Sequence, residues 1–106
     1  MIFMNTLEKL NSKIKEQMDE RLYLFEKFEA VYLFGSVLNA NNAYNDIDIL
    51  LVYQYYSEEI RKQVDIIEEE LKTVYGPVID LTVLSTDENN EIAFLERLKL
   101  KYLKVK

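Results

Sequence analysis

Cysteine and histidine are both absent from the 106 residues of this sequence. Without cysteine there is no thiolate nucleophile, iron–sulfur cluster or cysteine zinc site, and without histidine there is no Ser-His-Asp triad or imidazole-bound metal. Any catalysis must therefore use carboxylates, hydroxyls, lysine or arginine. Carboxylate oxygens are hard ligands, so a metal enzyme built from these residues would most naturally use Mg²⁺.

Long apolar runs are also missing, and none approaches the ~20 residues that a membrane-spanning helix requires. Residues 1–10 have no basic stretch ahead of an apolar block and no small-residue cleavage site, so they do not resemble a signal peptide. We therefore expect a cytoplasmic protein with no membrane partner. With 49% apolar and 30% charged residues, a chain of this length is suited to one domain, residues 1–106, that buries about two thirds of its unfolded surface.

The net charge of −6 is unevenly distributed along the chain. The last ten residues contain five basic side chains and no acid, so residues 1–96, with 8 basic and 19 acidic residues, carry −11. A body this acidic disfavours direct binding of nucleic acid, except at the basic tail, residues 97–106. We interpret the tail as a solvated helix end whose cations suit the C-terminal dipole.

Hydrophobic periodicity predicts alternating helices and strands in the order α-β-(short α)-β-α-β-α. The crossover between the second and third strands makes them parallel neighbours. The predicted fold class is α/β (α+β), a small mixed sheet packed with helices. The predicted elements are a helix over Thr6–Lys27, strands over Ala30–Phe34, Asp46–Tyr53 and Val78–Ser85, a short helix through Val37–Asn39, a helix capped by Ser57 and ended by Gly76-Pro77, and a final helix from Asp87 to about Leu103.

Gly35-Ser36 follows the first predicted strand and is one of three features with possible chemistry. The chain has only two glycines, and this one stands where the backbone must turn or approach something closely. Backbone amides and a hydroxyl after such a turn form a site for phosphate oxygens. An ordinary turn with a capping serine is the alternative.

The other two features are carboxylates on the later predicted strands. Asp46 and Asp48 alternate with Ile47, so they point to the same side of the strand about 6.6 Å apart, close enough to share one divalent ion or bridge a pair. Asp80 interrupts an apolar strand, where a carboxylate needs a cation, a donor or water. If the two strands are neighbours, Asp80 can join the first two acids. Solvent-facing acids at a strand end are the alternative.

In this order the motifs resemble the DNA polymerase β-like nucleotidyltransferase superfamily: an apolar strand ending in Gly-Ser, a spacer, an Asp-x-Asp strand and a third Asp on a later strand. The matching segments read YLFGS, VLNANNAYN, DIDILLVY and VIDLTV, and the resemblance covers about Val31 to Leu84. The chain is most similar to the minimal nucleotidyltransferases, many of which are antitoxins paired with a HEPN-domain toxin. The resemblance implies a nucleotidyltransferase core fold for the chain.

The resemblance also implies a role for each motif. Gly35 and Ser36 would hold the β- and γ-phosphates of a nucleoside triphosphate, and Asp46 and Asp48 would bind two Mg²⁺ ions. Asp80 would complete the metal site and help deprotonate the acceptor hydroxyl, which attacks the α-phosphate and expels pyrophosphate. The implied reaction is AMP transfer from ATP to a tyrosine of a HEPN toxin.

The sequence does not determine how tightly the triphosphate is bound or which molecule accepts the nucleotide. The spacer, Val37 to Asn45, contains no glycine or basic residue, so the grip on triphosphate is either weak or completed by a partner. A lone core must borrow its acceptor surface from another protein or from an oligomer of itself. Two other functions remain: a catalytically idle antitoxin that binds a basic toxin by charge, and a nucleotidyltransferase acting on a small molecule or an RNA end.

Overall fold

A computed structural model describes residues 14, 16–34, 47–92 and 102–106, and its centre is a four-stranded sheet. Residues 14 and 16–19 are helical (α1), and they precede a short 3-10 helix, Leu22–Phe25. The later elements are β1 (Ala30–Phe34), β2 (Ile47–Tyr53), α2 (Glu58–Tyr75), β3 (Ile79–Ser85), α3 (Thr86–Ile92) and β4 (Tyr102–Lys104). The strand order is β3-β2-β1-β4.

The helix between β2 and β3 begins and ends at the predicted signals. The Ser57 side chain accepts a hydrogen bond from the backbone N–H of Ile60, and two acids occupy the first turn, where the helix dipole favours negative charge. Gly76 ends the helix with φ 85° and ψ −166° while its N–H bonds the carbonyl of Lys72. Only glycine adopts this backbone region without strain, which explains the residue at this position.

The sheet is mixed, with one parallel and two antiparallel strand pairs. β2 and β3 pair in parallel, which confirms the prediction that they are neighbours. β1 pairs antiparallel with β2 on one side and with β4 on the other. The predicted fold class, a small mixed sheet packed with helices, is confirmed.

The two faces of the sheet bury different sets of side chains because strand residues alternate between faces. The main core combines the helices with one face of the sheet; its strand members include Val31, Leu33, Ile47, Ile49, Leu51 and Ile79. We call the opposite side the second face. Its buried cluster is Ala30, Phe34, Leu50 and Val52, with Tyr32 and Leu84 packed against them.

The final predicted helix is wrong at its C-terminal end. Tyr102–Lys104 form β4 rather than the last turn of a helix, while the intervening residues 93–101 lie outside the described ranges. The physical reason is a period of two: Leu103 and Val105 pack against the main core, whereas Tyr102 and Lys104 are exposed. The pairing also satisfies the backbone N–H and C=O groups on the edge of β1, which would be unpaired if β1 ended the sheet.

The first predicted helix is also too long. It was expected to extend to Lys27, but α1 ends at Asp19 and the chain turns into the 3-10 helix. The 3-10 geometry buries the consecutive pair Leu24 and Phe25 and leaves Leu22 40% exposed, which the helical period would have buried. The short helix predicted at Val37–Asn39 falls outside the described residues, and none of the described helices is long and apolar enough to cross a membrane.

Candidate functional site

Two of the candidate carboxylates are direct neighbours across the sheet. Asp48 of β2 lies opposite Asp80 of β3 in the parallel pair, and on its other side Asp48 lies opposite Phe34 of β1. Adjacent strands are about 4.8 Å apart, so the two Cα atoms have about that separation. These three residues form one row across three strands.

Both carboxylates belong to the second face, opposite the main core. Ile47, Ile49 and Leu81 pack into the main core, so the residues that alternate with them point the other way. Asp48 is half-buried and Asp80 is exposed. An ion or phosphate approaching the second face from solvent can therefore reach Asp80 directly.

The remaining candidate residues, Gly35, Ser36 and Asp46, lie outside the described ranges. In the sequence, Gly35 follows Phe34 directly, and Asp46 precedes Ile47, the first residue of β2. Within the described ranges no three acidic side chains lie close enough together to hold a metal ion. A site of three carboxylates that includes Asp48 and Asp80 would therefore need its third acid from outside the described ranges.

The chemistry of the Asp48–Asp80 pair fits a divalent cation of the magnesium type. Two adjacent carboxylates repel each other when both are ionised, and the carboxylate of Asp80 forms no hydrogen bond or ion pair with another described residue. Hard oxygen ligands at this spacing can hold Mg²⁺ while leaving positions for water and phosphate oxygens. The pair can therefore provide part of a metal centre at which phosphate binds.

β4 extends the same row by one strand and contributes residues that the sequence prediction assigned to a helix. Tyr102 lies opposite Phe34, and Lys104 lies opposite Tyr32. Tyr102 and Lys104 are exposed, and the rings of Tyr102 and Tyr32 meet edge to face with centroids 5.5 Å apart. Exposed and core-packed residues alternate over Tyr102–Val105, but this run is too short for the alternation to indicate a strand from the sequence alone.

The opposite end of the sheet contains a separate polar arrangement. Ser85 and Glu88 form a capping box at the start of α3: the Ser85 N–H donates to the Glu88 carboxylate and the Glu88 N–H donates to the Ser85 hydroxyl, both at 3.0 Å. The Ser85 N–H bond lowers the pKa of Glu88. Burial, followed by the charge of Glu88, raises the pKa of Tyr53. This cluster stabilises the β3–α3 junction.

Two clefts flank α2, and neither contains the carboxylate pair. One, of about 530 Å³, is lined by Asp65, Glu68, Glu69, Lys72 and Thr73 on the outer face of the helix. The other, of about 220 Å³, lies where α2 meets the C-terminal ends of β2 and β3, beside Tyr53, Tyr56 and Val83. The carboxylates lie at the other end of the strands, so neither cleft is part of the candidate site.

The fold is similar to that of known solved structures, including the following two. One, of tri-AMPylated Shewanella oneidensis HEPN toxin in complex with MNT antitoxin, matches with a TM-score of 0.51 and 15% identity over 87% of this chain and 71% of the matched one. The second, a candidate nucleotidyltransferase from Sulfolobus solfataricus, matches with a TM-score of 0.50 and 24% identity over 80% of this chain and 75% of the other. At these identities the likeness shows the fold alone.

The sequence itself matches a family model across most of its length. No curated protein matches the chain significantly. The model that describes the nucleotidyltransferase domain, in contrast, matches residues 8–104. That span includes every candidate site residue and all the described strands. The chain belongs to the nucleotidyltransferase domain family.

Proposed function

We propose that this chain is a Mg²⁺-dependent nucleotidyltransferase that moves AMP from ATP to a tyrosine hydroxyl of a HEPN-domain toxin and releases pyrophosphate. The observation that carries the proposal is the direct pairing of Asp48 with Asp80 in a chain of this family. The toxin and the AMP group are suggested by the MNT antitoxin of similar fold, found with a tri-AMPylated HEPN toxin.

The acidic residues have distinct roles in this proposal. Asp46, Asp48 and Asp80 would hold two Mg²⁺ ions, which supply the charge that a triphosphate needs at an acidic surface. Asp80, the exposed member, accepts the proton of the acceptor hydroxyl. The hydroxyl oxygen forms a bond to the α-phosphorus as the bond between that phosphorus and the bridging oxygen breaks, so pyrophosphate leaves. Gly35 and Ser36 would hold the β- and γ-phosphates.

Label transfer tests the reaction. ATP labelled at the α-phosphate, or in a parallel reaction at the γ-phosphate, is incubated with the chain and a HEPN-domain protein, with Mg²⁺ or with EDTA. We expect labelled HEPN protein only with Mg²⁺ and only from the α-label, because the β- and γ-phosphates leave together. Transfer of a γ-label would make the protein a kinase and contradict the proposal.

Matched variants connect the activity to the carboxylate pair. Asp48→Asn and Asp80→Asn should each abolish the transfer, while Asp87→Asn, which changes an exposed acid in the first turn of α3, should retain it. If both the parent and Asp48→Asn neutralise the toxin without any labelling, the chain is a binding module. Rapid labelling of a small molecule or an RNA end in the absence of a protein acceptor would identify the chain as a nucleotidyltransferase for that acceptor.

A further inference from the structure

A cleft of about 220 Å³ lies at the end of the sheet opposite the carboxylate pair, where α2 meets β2 and β3. Part of its lining is apolar: Ile60 is buried, and Val64 and Val83 are half-buried. Tyr53 and Tyr56 also line it, with ring centroids 6.1 Å apart and an interplanar angle of 66°. This volume is below the ~300–1,000 Å³ of typical small-molecule sites, so the cleft suits one long side chain of a protein partner.

The loop between β2 and α2 borders this cleft and exposes two tyrosines. Tyr55 is 78% exposed and Tyr56 is 62% exposed, more than any other aromatic side chain in the described ranges. Both ends of the loop are fixed, because the Thr86 hydroxyl donates to the Tyr53 carbonyl at 3.2 Å and Ser57 caps α2. Exposed tyrosines on a fixed loop lose little conformational freedom on binding, which is typical of residues that anchor protein interfaces.

The surroundings of the cleft are acidic. Residues 53–92, which include every residue that lines it, contain ten acidic and three basic side chains, a net charge of −7. Arg61 lines the cleft, but its charge is offset by Glu58 at 3.0 Å and by Asp65 at 3.6 Å. Opposite charge therefore favours a basic segment of a partner protein over an acidic segment or a nucleic acid.

An arginine side chain matches both the rings and the charge. Its planar guanidinium stacks on aromatic rings such as that of Tyr56, and its apolar stem can cover Val64 and Val83. The carboxylate of Asp65, at the same cleft, can accept its N–H groups. Lysine has the same charge but lacks the planar stacking surface and the paired donors.

We propose that this cleft, together with Tyr55 and Tyr56, docks a basic segment of the HEPN-domain toxin and receives one of its arginine side chains. The inference rests on the proposed function for the identity of the partner. Tyr53 and Val83 pack against the main core, so the cleft lies on the face opposite the carboxylates. Tyr53 is also five residues beyond Asp48, roughly 17 Å along β2. A toxin segment docked there leaves the carboxylates open to ATP and to the acceptor tyrosine.

Calorimetric binding of the chain to the HEPN-domain protein of the transfer experiment, without ATP, tests the proposal. Tyr56→Ala should bind about tenfold more weakly because the stacking ring is lost, whereas Tyr56→Phe keeps the ring and should bind as the parent does. Tyr23→Ala, which removes a tyrosine of similar exposure, 58%, is the matched control and should bind normally. Asp48→Asn should also bind normally, because it lies outside the docking surface.

A double-mutant cycle identifies the residue that enters the cleft. Each exposed arginine of the HEPN-domain protein is replaced by alanine, and binding of each variant is measured with the parent chain and with Tyr56→Ala. For one arginine, the replacement should weaken binding about tenfold with the parent chain and much less with Tyr56→Ala, because the two side chains contact each other. If no arginine couples to Tyr56, the inference is overturned.

The outcomes separate this inference from the proposed function. If Tyr56→Ala binds like the parent while label transfer still requires Asp48, the inference is overturned and the proposed function stands. If Tyr56→Ala loses binding but the parent transfers no label, the docking surface stands and the catalytic proposal fails. Absence of binding by the parent would also overturn the inference.

Sedimentation of the chain alone examines a second copy as the occupant. If Tyr56→Ala weakens self-association and leaves binding of the HEPN-domain protein unchanged, the cleft belongs to an interface between copies and the inference is overturned. Circular dichroism of each variant verifies that it is folded.

Discussion

Removing the charge of Asp80 should stabilise the metal-free protein. Asp80 is exposed and directly opposite Asp48. At a separation of about one strand spacing, ~5 Å, two carboxylates repel each other by about 0.8 kcal/mol at the dielectric constant of water. Asp80→Asn removes this repulsion and keeps the shape of the side chain. In EDTA the free energy of unfolding should rise by up to about 0.8 kcal/mol, which is about 3–6 °C in melting temperature for a domain of this size.

Mg²⁺ should remove or reverse the difference in stability between the parent and Asp80→Asn. At tenfold excess over its dissociation constant, an ion that binds only the folded state adds about 1.4 kcal/mol to the parent. Asp80→Asn has lost one ligand and should gain much less. In saturating Mg²⁺ the parent should therefore equal or exceed the variant, whereas in EDTA the variant is the more stable protein.

Urea unfolding followed by circular dichroism measures both effects. Parent and variant are compared in EDTA and in Mg²⁺ at equal ionic strength, so that general screening does not imitate site binding. Glu29→Gln, which neutralises an exposed acid before β1, is the control and should respond to Mg²⁺ as the parent does. If Asp80→Asn is less stable by about 1–3 kcal/mol in both buffers, the carboxylate is held by structural hydrogen bonds and the reasoning is refuted.

Three further predictions concern the framework around the site. Gly76→Ala should lower the free energy of unfolding by about 1–3 kcal/mol, because φ 85° with ψ −166° is accessible almost only to glycine; an unchanged urea midpoint would contradict this. Lys106→Gln should destabilise by about 1.5–3 kcal/mol through lost charged hydrogen bonds to three carbonyls, and Lys62→Gln should not. The pKa of Glu88 is lowered in the folded protein, so the ionised carboxylate stabilises the fold fully above its unfolded pKa of about 4.3, and this stabilisation is lost as the pH falls through the lower folded pKa. Glu88→Gln should therefore reduce the loss of unfolding free energy between about pH 5 and 3, measured by urea unfolding at each pH. If the variant and the parent lose unfolding free energy equally with falling pH, the capping box does not stabilise the protein.

Much of the fold could be predicted because its signals are local. Ser57 and Gly76 mark the ends of α2, and the period of its apolar residues marks the buried face. The alternation around Asp48 correctly separated Ile47 and Ile49, which face the main core, from the carboxylate. A crossover helix between two strands then required them to be parallel neighbours.

The remaining features depend on contacts between distant segments, which one sequence does not encode in a readable pattern. β4 was interpreted as helix because its three residues are too few for a period to stand out, and it becomes a strand only by pairing with β1. The position of Lys104 on the second face was not predicted, because it depends on the same pairing of β4 with β1. The early end of α1 depends on how Leu24 and Phe25 enter the main core, which local propensity does not decide.

The pairing of β1 with β4 has a consequence for how the protein is made. Lys106 bonds Phe25 across 81 positions of the chain, whereas β2, α2 and β3 are consecutive. Contacts of high sequence separation form late because their loops are entropically costly to close. During synthesis, the backbone groups on one edge of the apolar strand Ala30–Phe34 therefore remain unpaired until β4 has been made, and this edge can pair with another nascent chain. Expression at lower temperature, or with a chaperone that shields this edge, should improve the soluble yield more than substitutions in the local β2–α2–β3 unit.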